Sequence, residues 1–222
     1  MISRFSLYDF IAAVIPGILF LWGISIVANS IGIPFKGGLA ETSVLVALGY
    51  VTGLILQGIS QGLTEKILLK AWGGFPSARY LLPDDNKLSK EYKQKIKEIV
   101  RVRYSVVSDD DQSREKQLKK NQEIFYLCYN AVDQENLSDR PQLFNAHYGL
   151  FRCLLTTFTL LFLFALSVLL FTENQRESII FGVLVFTIIG AIVSYFRTKK
   201  RGEDFAKSIY DLFLVRFSEQ KL

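Results

Sequence analysis

The chain has 222 residues, with 26 Lys and Arg, 21 Asp and Glu, one His, two Cys and a formal net charge of +5. Two cysteines, Cys128 and Cys153, are expected as packing residues without a disulfide, and a single histidine leaves no second imidazole for a metal site. Mean hydropathy is +0.26 and half of the residues are hydrophobic, values that soluble domains also reach, so the distribution along the chain decides the class.

Apolar residues gather in four long blocks, at 7–28, 43–60, 148–171 and 178–196, separated by charged stretches. Each is long enough to cross a bilayer as a helix. The expected fold is all-α: a four-transmembrane-helix bundle with a helical cytoplasmic domain between spans 2 and 3 and an amphipathic C-terminal helix. The expected organisation is 1–63 for the first two spans, 64–147 for the cytoplasmic domain, 148–196 for the last two spans and 197–222 for the tail.

The first block opens with Ser6 and Asp9 at capping-box spacing, which places Asp9 at the positive end of a helix dipole. Its length and Pro16 favour an intact anchor over a cleaved signal peptide. Pro16 and Gly17 fall near mid-span, where proline frees a carbonyl and makes a kink; that kink serves either packing or, as a hinge, gating.

The second block carries Gly49 and Gly53, then Gly58 and Gly62, two small-xxx-small pairs that let helices approach closely. From Gln57 a polar stripe runs through Ser60, Gln61 and Thr64. Lipid cannot satisfy such a stripe, so it either bonds to other spans of the same chain or lines an aqueous path between copies. "TEKILLKAW" continues the helix outward to Gly73 and Gly74, and turn chemistry with Pro76 and Pro83 follows.

Residues 64–147 hold fifteen Lys and Arg against thirteen Asp and Glu, a barely basic balance overall. The charge is uneven, however. An amphipathic helix with Tyr92, Ile96, Ile99 and Val100 on one face carries Lys87, Lys90, Lys93, Lys95, Lys97, Arg101 and Arg103, and a second cluster holds Arg114, Lys116, Lys119 and Lys120. These residues are either a solvated face, a surface for anionic headgroups, or a site for single-stranded nucleic acid or nucleotides, concentrated further around an oligomer axis. Asp109, Asp110 and Asp111 suit a helix N-terminus better than a cation site, and no metal or cofactor is expected.

Ser138, Asp139 and Pro141 start a helix that runs without a break into the third span. Arg140 and His147 have the loose spacing of HEPN-type ribonucleases, in which His147 would move a proton and Arg140 hold the phosphate. Pro141 stands where that pattern has a polar residue, and anchoring at the membrane interface explains both residues. Arg152 lies just inside the span and can snorkel to phosphates or to cytoplasmic carboxylates. There is no phosphate-binding glycine loop and no other catalytic set, so an enzyme is not expected.

The fourth span ends in Arg197, Lys199, Lys200 and Arg201. Arg4 precedes the first span, whereas the two intervening loops hold Lys36 and Arg176 singly. By the positive-inside rule, both termini and the long central region face the cytoplasm. The tail places Phe205, Ile209, Leu212, Phe213 and Phe217 on one face, which needs either the membrane surface or the cytoplasmic helices as partner.

The stretches "FSLYDFIAAVIPGILFL" and "RPQLFNAHYGLFRCLL" make the chain resemble small four-span membrane proteins of bacterial anti-phage defence loci. The nearest likeness is to the membrane effector of Hailong-type systems, with a weaker one to the membrane subunit of Kiwa-type systems. The resemblance implies a homotetrameric channel with an electropositive cytoplasmic surface that binds oligonucleotides, alongside a soluble nucleotidyltransferase. The alternatives are a membrane scaffold that recruits a soluble partner and, less favoured, a membrane-tethered HEPN-like ribonuclease.

Overall fold

A computed structural model describes residues 7–33, 42–106, 113–171 and 177–218. Among them there are helices and turns and no strand. The expected capping pair at Ser6, the aspartate run at 109–111 and the loop cations Arg4, Lys36 and Arg176 lie outside the described residues. Among the described residues, four helices are long and apolar enough to cross a membrane, the character of a multi-pass membrane protein.

Contacts divide the chain into two units, Met1–Lys66 with Ala146–Lys199, and Ile67–Asn145 with Lys200–Leu222. In the first, α1 (Leu7–Ser30), α2 (Thr42–Ile59), most of α7 (Asp139–Phe171) and the first half of α8 (Glu177–Phe217) supply the apolar segments. Small residues set their spacing. Gly17 faces the carbonyl of Gly49, and Gly53 faces the carbonyl of Ala13, so Ala13 and Gly17 of α1 cross Gly49 and Gly53 of α2 with backbone against backbone. A methyl group at Gly23 would strike the Leu161 side chain, and one at Gly190 would meet the Phe158 ring at 2.6 Å. Val27, Ala165, Val168, Ile180 and Leu184 form the buried centre between α1, α7 and α8.

The second unit is built on α4 (Pro76–Arg79), α5 (Lys90–Tyr104), α6 (Arg114–Gln134) and the last part of α8. Gly73 and Gly74 end the helix that precedes α4 with φ of 72° and 115°, a left-handed turn that glycine adopts without strain. Ser89 caps α5 by accepting from the Tyr92 backbone N–H at 3.2 Å. The core joins Ile96 and Val100 of α5, Ile124, Phe125 and Cys128 of α6, and Ile209, Tyr210, Phe213 and Phe217 of α8. The tail is therefore not a separate element: it is the end of the 41-residue α8, and its apolar face is covered by the unit's own helices. The Tyr210 hydroxyl donates to the Ser77 carbonyl at 2.6 Å and Asn121 Nδ2 donates to the Ala78 carbonyl at 3.0 Å, which ties α4 to the core.

Candidate functional site

The second span does not continue as a plain α-helix. Ser60–Thr64 form a π-turn, closed by the Glu65 N–H donating to the Ser60 carbonyl, after which α3 (Glu65–Trp72) resumes the α form. In an α-helix, residues five apart point about 140° away from one another. In a π-turn they are hydrogen-bonded neighbours and share a face. Ser60 and Glu65 therefore both meet α7, and both meet the same side chain there.

That side chain is Arg152. Its Nε donates to Ser60 Oγ at 3.0 Å, and its Nη1 forms an ion pair with Glu65 Oε2. The Arg152 and Glu65 side chains are only 9% and 17% exposed, so the pair is largely shielded from solvent. The Tyr148 hydroxyl donates to the other oxygen of Glu65 at 3.0 Å, and the Arg152 guanidinium lies 5.2 Å from the Tyr148 ring centroid. One helical turn further along each helix, the Thr64 and Thr156 hydroxyls are 2.7 Å apart, and Thr156 Oγ1 also reaches the Arg152 carbonyl at 3.1 Å. A charged group within an apolar span is costly unless it is paired and hydrogen-bonded, and this cluster supplies both. It contains no nucleophile beside a base. Its chemistry is that of a polar lock between the π-turn, with the first residue of α3, and α7.

The expected polar stripe is thus split. Ser60 and Thr64 point into the cluster, whereas Gln61 is exposed and Gln57 half-buried. The two glycine pairs separate in the same way: Gly49 and Gly53 sit in the α1 crossing, while a methyl group at Gly58 or Gly62 would meet nothing within 4 Å. Gly17 of the expected hinge lies in that crossing as well, beside the buried Pro16 inside α1.

The basic surface is thinner than the sequence implies. Lys93 is a correction: it is buried, and its Nζ donates to the carbonyls of Leu82, at 2.6 Å, and Asp85, so it fastens the loop before α5 and is not available to a ligand. The reason is its phase, since Lys93, Ile96 and Val100 stand on one side of α5. Arg103 lies over the Phe217 ring at 4.4 Å. Lys119 pairs with Glu115 at 2.9 Å and Lys120 with Glu123 at 3.0 Å, both within α6, and Arg114 pairs with Asp84. The Glu115 carboxylate holds the Lys119 amine above its ordinary pKa, and Arg114 holds Asp84 below the usual carboxylate range. Such exposed pairs are weak enough for an anion to exchange. Lys90, Arg101 and Lys116 are exposed and Lys97 is half-buried.

Arg140 is exposed with its guanidinium near the Phe144 ring, and His147 is half-buried with Nδ1 lacking a bond partner. Both cysteines are free and buried, and burial pushes the Cys128 thiol well above its ordinary range, which makes it a packing group. Burial and then the bond to Asp211 raise Tyr92 in the same core. Among the described residues, no three His, Cys, Asp or Glu side chains gather as a metal site would require.

Sequence reasoning missed Glu65, Tyr148 and Thr156 as one cluster. The available signal was an arginine five residues into one apolar block and a glutamate five residues past the end of another. No family model matches the chain, and no curated protein or solved structure is similar to it.

Proposed function

We propose that the chain is the subunit of a homo-oligomeric channel or pore in a bacterial inner membrane, an anti-phage defence effector gated by an anionic ligand. The observation that carries this reading is the outward side of α2. Ala47, Val51, Ile55, Gly58, Gln61 and Gly62 recur at helical spacing and are exposed in the single chain. Glycines let a second backbone approach this line, and Gln61 needs protein or water rather than lipid. A ring of subunits, four in the arrangement that the resemblance implies, provides both.

In this reading both termini and the polar unit are cytoplasmic, in line with Arg197, Lys199, Lys200 and Arg201 directly after the fourth apolar block. The ligand is a short single-stranded oligonucleotide or a nucleotide, held by Lys90, Lys97 and Arg101 of α5 and by Lys116 of α6. Symmetry multiplies this modest positive charge near one axis. Because α2, the π-turn and α3 form one unbroken helical path, a change in tilt at α3 is felt at the Arg152 lock.

Ion flux from liposomes that hold the purified protein tests the proposal, with and without short single-stranded oligonucleotides at two salt concentrations. The expected result is flux that changes with oligonucleotide, more strongly at low salt, with the response lost in the Lys90→Glu, Arg101→Glu double variant. Absence of flux under every condition overturns the channel and leaves a membrane scaffold for a soluble partner. That scaffold cannot recruit through the apolar face of the tail, which the polar unit's own core already covers.

A further inference from the structure

Two arginines from different helices converge on one aromatic ring in the polar unit. The guanidinium carbon of Arg140, in the first turn of α7, is 5.7 Å from the centroid of Phe144, and that of Arg201, on α8, is 5.6 Å from the same centroid. Their guanidinium carbons are thus at most about 11 Å apart, a range over which like charges repel unless something negative offsets them. Arg201 Nη1 has Asp204 Oδ2 at 3.3 Å, a partly exposed pair within one helix, which is the weak class of ion pair. Its Nε is buried and has no acceptor. A buried donor left unsatisfied on a charged group calls for a partner that the chain itself does not supply. Lys200, exposed beside it, adds a third positive charge.

The position along each helix narrows the partner. Arg201 follows Phe196, the end of the fourth apolar block, by five residues, or about 8 Å of helix. Arg140 precedes Tyr148, where the third block begins, by eight residues, or about 12 Å. Phosphates of a bilayer lie several ångströms beyond its hydrocarbon core, within reach of long side chains from these positions.

We propose that Arg140, Phe144 and Arg201 form a binding site for a phosphate group, occupied by the headgroup of an anionic membrane lipid. The guanidinium forks match phosphate oxygens in pairs, which an ammonium does not. The Phe144 ring lies within cation–π range of both guanidinium groups, which keeps them in one locality. Basic sites at helix ends of this kind take anionic headgroups.

The test is native mass spectrometry of the full-length protein released from micelles with phosphatidylglycerol or phosphatidylcholine, counting lipids retained per chain. Phosphatidylglycerol should be retained about tenfold more than phosphatidylcholine, and Arg140→Gln and Arg201→Gln should each lower its retention about tenfold. Arg140→Lys and Arg201→Lys keep the charge and the fold but lose the fork, and should also weaken retention. Equal retention of the two lipids, or full retention in the Gln variants with unchanged helical circular dichroism, overturns the site. Displacement of phosphatidylglycerol by millimolar inorganic phosphate upholds the phosphate site and overturns its lipid occupant in favour of a soluble phosphate. If the Gln variants do not fold, loss of retention in the Lys variants supports the site and full retention in them overturns it.

Discussion

Removing one member of the Glu65–Arg152 pair leaves the other charged in a largely buried place, where water replaces its partner poorly. Glu65→Ala is therefore expected to destabilise the protein by about 3–5 kcal/mol, while Glu65→Leu combined with Arg152→Met recovers most of that loss. Thermal unfolding in detergent, arranged as a double-mutant cycle, measures both. Additive losses would show that the two side chains are not coupled. Part of this pair was legible in the sequence, because an arginine just inside an apolar block must find a phosphate or a carboxylate. Which carboxylate was not legible, since Glu65 reads there as the start of an ordinary outward helix. Lys93 shows the opposite case. Its register with Ile96 and Val100 already placed it on the core side of α5, but the charge drew the eye to the surface.

At the scale of elements, the four glycines of the second span separate into two pairs, one in the α1 crossing and one facing open space within the chain. Gly53→Ala forces a methyl group onto the Ala13 carbonyl and should destabilise the α1–α2 crossing by about 1–3 kcal/mol. Gly58→Leu and Gly62→Leu meet open space within the chain, so the fold should be retained while assembly into oligomers is lost. Crosslinking and size-exclusion chromatography of the three variants separate the effects, and normal assembly of both leucine variants would remove the outward face of α2 as an interface. Spacing alone marked all four positions as candidates for close packing, of which Gly49 and Gly53 sit in such a crossing. It could not sort them, because the phase change at the π-turn and the partner on each side are properties of neighbouring helices. For the same reason the amphipathic tail was recognisable as a face in need of cover, while its cover, the core of α5 and α6, was not.

For the whole molecule, the long-range plan was the most legible part. Four apolar blocks, a polar helical stretch between the second and third, and a helix stop at Gly73 and Gly74 are all written in local composition and turn chemistry. The polar lock and the division into two units depend on residues brought together from ~90 positions apart, which no local pattern encodes. The π-turn also bears on chain length. Such a turn absorbs one surplus residue while the helix on either side keeps its facing. The second helix is, by this count, one residue longer than a regular α-helix with the same facing would be. Deleting Gly62 should turn Ser60–Glu65 into regular α-helix, with Ser60 and the glutamate still on one face, and leave a folded protein. Deleting Leu54 instead rotates everything beyond it by about 100° and should abolish folding. Expression and melting of the two deletions side by side decide whether that extra residue is free to be lost or has been kept for a movement that a regular helix would not permit.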